Sequence, residues 1–355
     1  MSRRPLILLL LLTALVYSQH VWTAQYVYED SQTMQFEPIY VQVTTTGDIN
    51  PAHVQRMHWG DVPPFATLAW SNLLPSRWAS RVTWELAADN NPRAQHVVNL
   101  IVHLVNGSLV WLLAEAVFGD WFVTALVTAL FLLHPIQIET VAYVTERTEL
   151  LALTGILSAC LAAARGSLLG VVAASLLAMT SKETGVIVVG LVPAWLLMTR
   201  RISPTRGLLS LAMALAGTLA APRAWTVIHD PYLWTGSWST AGWNAVALNQ
   251  YFLMVFVPTG LSIEHDWGQG GPWTVALSAA VLTLVAVLPV LLWRINRVLA
   301  CAMLWIVVAV LPRFVVRSPE ILSEHQVYTA LVGVWVGMGE IVAQWTGTED
   351  RHAAV

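Results

Sequence analysis

Ten long apolar runs, divided by short polar breaks, limit what this chain can fold into. They cover residues 5–22, 95–117, 121–134, 150–164, 168–180, 184–198, 207–221, 273–293, 298–311 and 327–343. A helix needs about 20 mostly apolar residues to cross a bilayer, and lipid offers no water to satisfy a bare backbone. Runs of this length and number predict an all-α fold, a polytopic membrane helix bundle. Of the residues, 56% are hydrophobic and only 11% charged, against about 25% charged in an ordinary soluble domain. Eighteen tryptophans suit a chain with many membrane–water boundaries.

Basic residues set the expected orientation. Arg3 and Arg4, then Arg200, Arg201 and Arg206, then Arg294 and Arg297, fall in polar breaks and are expected on the cytoplasmic side. A further stretch, 245–257, is shorter and carries Asn249 and Gln250. If it crossed the bilayer, two of the basic clusters would conflict. It therefore reads as a re-entrant or interfacial helix, giving ten full spans; eleven is the other count. Of the 21 acids, all but Glu115, Asp120, Glu340, Glu349 and Asp350 then fall on the non-cytoplasmic face. The charged start and short apolar core at the N-terminus read as a retained first span, with a secretory signal peptide as the other reading. Residues 1–355 read as a single membrane domain. Within it, 23–94 is expected to be an external loop with amphipathic helices, and no soluble domain is expected after the last span.

Several function classes are excluded at this level. A net charge of -3 leaves no basic footprint for nucleic acid. There is no P-loop, no Rossmann glycine fingerprint and no zinc-type Cys/His spacing. Cys160 and Cys301 lie in apolar runs and read as small buried hydrophobes. No cofactor and no metal is expected. The cytoplasmic breaks are too short for a nucleotide-binding fold, so an activated donor used at the other face has to arrive within the membrane, on a lipid.

Polar side chains gather in six places. Glu29 and Asp30 follow the first run; adjacent acids serve as a general base with its electrostatic partner, or are plain boundary charges. His96, Asn99, His103 and Asn106 recur at helical spacing and, at about 100° per residue, share one stripe. Such a stripe faces the protein interior, for chemistry or for interhelical hydrogen bonds. His134-Pro135 precedes Glu139 and then Glu146-Arg147-Thr148-Glu149. Pro135 ends a helix, and Arg147 suits a phosphate unless the group is a structural ion-pair network. Lys182, the chain's one lysine, stands with Ser181 and Glu183 between two runs, where a charge is costly unless paired. Glu264-His265-Asp266 and the segment Ser323-Glu324-His325-Gln326-Val327-Tyr328 read as solvated loops on spacing alone.

In order along the chain, these segments resemble one family. The stretch from Phe131 to Ala152, with His134, Pro135, Glu139, Arg147 and Glu149, resembles the central signature of the tetratricopeptide-repeat-containing transmembrane O-mannosyltransferases and their bacterial relatives, in the GT-C class. The stripe from His96 to Asn106 resembles that family's second span. Ser181-Lys182-Glu183 and Glu324-His325-Gln326-Val327-Tyr328 resemble its later motifs, and Arg77 with Thr83 and Trp84 its first external loop. The acidic pair, commonly Asp-Asp there, is Glu29-Asp30 here, and the repeat domain is missing.

The resemblance implies a GT-C-like fold and a glycosyltransferase. It would move a hexose, mannose foremost, from a polyprenyl-phosphate donor in the membrane lipid to a hydroxyl of a protein or glycan acceptor, with inversion. It implies Asp30 and Glu29 as catalytic carboxylates that take the acceptor proton, and Arg147, Lys182 and Arg77 as ligands of the donor phosphate. Glu139, Glu149, His96, Asn99, His103, Glu183, Glu324 and His325 would orient the sugar or the acceptor. A reading from another class is a transporter or flippase of a lipid-linked sugar or small solute. That predicts polar residues near mid-membrane and inverted repeats, whereas the polar clusters here fall at one face.

Overall fold

The computed structural model describes residues 3–22, 39–43, 49–56, 91–199, 204–220, 238–262, 271–312 and 322–347. The apolar runs become helices: α1 (Arg4–Trp22), α2 (Pro92–Phe118), α3 (Trp121–Leu133), α4 (Gln137–Ala142), α5 (Arg147–Ala164), α6 (Leu168–Ser181), α7 (Val188–Thr199) and α8 (Pro204–Ala220), then α9 (Trp238–Phe256), α10 (Pro272–Leu292), α11 (Arg297–Val310) and α12 (Ala330–Trp345). Three short 3₁₀ turns, Val144–Glu146, Glu183–Ile187 and Glu324–Val327, precede α5, α7 and α12. The stretch 245–257, all but its last residue, forms the C-terminal part of α9, and Asn249 and Gln250 do not interrupt it.

One element among those described is not helical. β1 (Ile39–Val43) and β2 (Ile49–Arg56) pair antiparallel, Ile39 opposite Arg56 and Val43 opposite Ile49, with the register shifting between Val41 and Val43. This hairpin lies within 23–94, where amphipathic helices are expected. Ile39-Tyr40-Val41-Gln42-Val43 is rich in β-branched and aromatic residues, which fit a strand better than a helix.

Among the described residues, three helices are long and apolar enough to cross a membrane: Pro92–Phe118, Val144–Ala164 (α5 with the turn before it) and Pro272–Leu292. Seven shorter apolar helices accompany them. α10 buries only Ser278 and Pro289, and leaves Trp273 and Val290 87% and 75% exposed. In water so apolar a surface would be a liability; in lipid it needs no cover.

Six helices close a ring by successive contacts: α2 on α3, α3 on α12, α12 on α11, α11 on α7, α7 on α5, and α5 back on α2. α1 lies outside the ring against α2 and α3, α6 and α8 against α5 and α7, and α10, carrying α9, against α11. Short corners fix these directions. Asn91 caps α2 by accepting from the Arg93 N–H, and Pro92 follows it, where a missing N–H costs nothing. Gly119, at φ 60°, ends α2 in the left-handed conformation a glycine adopts without strain. Asp120 then caps α3 by accepting from the Phe122 and Val123 N–H groups.

The α5–α6 crossing is closer than any side chain permits. A Cβ at Gly155 would stand 2.6 Å from the Ala178 backbone nitrogen, which cannot move aside. Replacing Gly155 by Val should therefore cost about 1–3 kcal/mol through overpacking, read as a lower Tm in detergent. Gly207→Ala, where a Cβ meets nothing within 4 Å, should leave Tm unchanged or raise it.

Candidate functional site

The site is assembled where helices stop. α3 ends at His134 because Pro135 has no N–H to continue the ladder and pushes the preceding residue into extended backbone. His134 Nδ1 accepts from the Ile136 N–H, so Nε2 carries the proton and donates to the Val255 carbonyl at 2.8 Å. The chain then makes α4 and the turn Val144–Glu146 before α5 begins. Asn99 of α2 holds this connection: its Nδ2 donates to the carbonyls of Val141 and Tyr143. Its Oδ1 accepts from Arg147 Nε at 2.7 Å, and Arg147 Nη2 donates to the Gln95 carbonyl at 2.7 Å. Arg147 is fully buried.

That clamp aims three carboxylates, Glu139, Glu146 and Glu149, at one region. Lys182, the residue that ends α6, reaches between two of them: its Nζ is 3.1 Å from Glu146 Oε2 and 2.9 Å from Glu149 Oε1. Glu139 meets the turn Glu324–Val327. Its Oε1 accepts from Ser323 Oγ and from His325 Nδ1, each at 2.8 Å, and its Oε2 accepts the N–H groups of Glu324 and His325. His325 thereby turns Nε2 toward Glu146 Oε2, 3.6 Å away. Glu324 Oε1 accepts the Ser262 N–H, and the Tyr251 hydroxyl bonds both backbone groups of Ser323.

A second polar column runs beneath the cluster. His103 Nε2 faces the Leu132 carbonyl, which only accepts, so Nε2 is the donor and Nδ1 accepts from the Tyr328 hydroxyl at 2.8 Å. Asn106 donates to that hydroxyl and to the Leu150 carbonyl, while Thr154 donates to Asn106 Oδ1. The rings of Tyr17, near the C-terminal end of α1, and Phe131 lie 5.6 Å from His103. The end of α1 therefore stands on the side of the cluster.

The structure thus brings together Glu139, Arg147, Glu149, Lys182, Glu324 and His325, with Asn99 and His103 behind them and His96 buried on the same helix. Glu183 opens the turn Glu183–Ile187; its side chain lies outside the described residues. Glu29, Asp30, Arg77 and Glu264-His265-Asp266 lie outside them too. Two geometries differ from what the residue types suggest. Arg147, expected on a phosphate, turns its Nε and Nη2 to α2, and Lys182 is flanked by two acids. Glu146 is more central than its place in the motif implied, because it faces both Lys182 and His325. Tyr251 and Ser323 carry no sequence signal of their pairing, since their contact joins segments 72 residues apart. Comparison with family models, curated proteins and solved structures finds no match for this chain.

Burial pushes the Glu324 carboxyl up to about 7, helped by the nearby Glu139 charge and opposed by the Ser262 N–H. His325 is raised: burial works against its charge and Lys182 lowers it, but Glu146 and Glu139 outweigh both. For both groups the folded value lies above the unfolded one, so the stability they contribute is present at low pH and lost as pH rises. The Glu324 window runs from about 4.5, its ordinary value, to about 7. Tm in detergent should therefore fall between pH 5 and 8, and Glu324→Gln should flatten much of that slope while His325 sustains the rest. A Tm that climbs across this range would contradict the burial of both groups.

Proposed function

We propose that the chain is a membrane-embedded glycosyltransferase of the GT-C type that moves a hexose from a polyprenyl-phosphate donor to an acceptor hydroxyl. The observation that carries this reading is convergence. Four segments that resemble the family's motifs, spread from His96 to Tyr328, meet in one cluster at one end of the bundle. A set of motifs matching by accident has no reason to converge. The cluster lies on the side where α1 ends, and Glu29-Asp30 follow α1 in sequence.

The mechanism on this reading is inverting displacement at the anomeric carbon. Asp30, with Glu29, takes the acceptor proton as the new glycosidic bond forms, and the lipid phosphate leaves as an anion that needs no strong general acid. Lys182 meets that phosphate by exchanging one of its carboxylates for it. Arg147 is a positioning residue, and Glu139 and Glu149 orient the cations or take sugar hydroxyls. Purified protein incubated with radiolabelled polyprenyl-phosphate hexoses tests the activity. Asp30→Asn should lower transfer by roughly 10²–10⁴-fold with the folded amount unchanged. Lys182→Gln should raise the donor concentration needed for half-maximal rate. Wild-type turnover in Asp30→Asn defeats the assignment.

The cluster end is proposed to face away from the cytoplasm. Arg3 pairs with Glu115 at the opposite end, and Arg165 closes α5 there, about 27 Å from Arg147 at the usual rise per residue. Arg297, which opens α11, stacks on Trp293 at that same end, so several arginines gather where the positive-inside bias wants them. Ile138 is 42% exposed at the cluster end and Ile295 is 80% exposed at the other. An impermeant thiol reagent applied outside intact cells should label Ile138→Cys and spare Ile295→Cys; the reverse pattern inverts the topology.

A further inference from the structure

One oxygen in the cluster faces two nitrogen groups. Glu146 Oε2 lies 3.1 Å from Lys182 Nζ and 3.6 Å from His325 Nε2. Lys182 is also tied to Glu149, and His325 to Glu139. Among the described residues, the charged groups acting on the imidazole are Glu139 from α4, Glu146 from the turn before α5 and Lys182 from the end of α6; Glu149 of α5 stands behind Lys182, and Glu324 precedes the ring on its own turn. An anion arriving at Lys182 competes with these carboxylates for it, and a buried carboxylate whose pairing is weakened favours a positive charge close by. His325 stands where it can supply that charge.

We propose that Glu146 is a shared counter-ion exchanged between Lys182 and His325, so that binding of a phosphodiester anion at Lys182 is coupled to uptake of one proton by His325. The coupling rests on the reading of Lys182 as the donor-phosphate cation and adds its regulation. With His325 neutral, Lys182 is held by Glu146 and Glu149 and the anion competes with both. With His325 protonated, the imidazolium takes over Glu146 and the ammonium turns to the anion. No bond to carbon forms or breaks; one proton moves from solvent to Nε2, and Nδ1 keeps its own proton toward Glu139. The raised affinity of His325 for its proton agrees with this, since Glu146 already favours the charged ring.

By linkage, anion affinity should then fall as pH rises past the His325 titration, by up to about tenfold per pH unit. The probe is dihexyl phosphate, a diester with no proton of its own to exchange near neutrality. Calorimetry on the full chain in detergent, in two buffers of different ionisation heat, counts the protons taken up. The expected result is uptake on binding at pH 7.5–8.5 and about fivefold or more weaker binding at pH 8.5 than at pH 6. His325→Gln should abolish both the uptake and the pH dependence, while Glu115→Gln, at the opposite end of the bundle, should retain them. The wild-type proton count stands even if a variant fails to fold. Binding without uptake, uptake that survives His325→Gln, or no binding at either pH overturns the proposal. A positive result with no sugar transfer from labelled donors would keep the coupling and reject the transferase reading.

Discussion

The buried guanidinium of Arg147 is the interaction on which the site depends. A permanent charge with no exposure is unfavourable unless its donors are met. Here Asn99 and the Gln95 carbonyl, both from α2, take up two of them. Asn99 spends its other end on the carbonyls of Val141 and Tyr143. One amide thus ties a helix start, a turn and a neighbouring helix together. Glu139, Glu146 and Glu149 take their positions from that tie, because all three lie on the segment it holds.

Much of this was legible in the sequence. The helices begin and end close to where apolar runs meet Pro135, Gly119 or a polar break, because in a membrane-like chain hydropathy alone dictates them. The stripe of His96, Asn99, His103 and Asn106 is buried as its spacing requires. What was not legible is partnership. A sequence shows that Arg147 can bind a phosphate, but its direction is decided by Asn99 lying within reach. Equally, Lys182 needs a partner, and nothing in the sequence points to Glu146 and Glu149, which it reaches across the bundle. Long-range choices of this kind depend on which helices close the ring.

The two ends of the bundle use charge differently. At the cluster end, acids, a lysine and a histidine are packed at helix breaks with little exposure. At the other end, polar groups perform ordinary tasks: Asn296 caps α11 and donates to Glu340, Asp120 caps α3, and Arg3 pairs with Glu115 across partly exposed surface. Exposed pairs of the second kind contribute little. The asymmetry is one of purpose: caps finish helices, whereas the cluster concentrates more ionisable groups than the helix ends around it require.

The scant side contact of α10 carries a consequence for the bilayer. The ring helices are held laterally by protein on several sides, so their tilt is set by their neighbours. Among the described elements α10 meets only α9 and α11 to any extent, and it buries only Ser278 and Pro289 against them. Tilt is the cheap response of such a helix to a change in membrane thickness. A thinner or thicker bilayer would therefore be felt first along α10, and through α9 at Tyr251, whose hydroxyl is fastened to the backbone that carries Glu324 and His325.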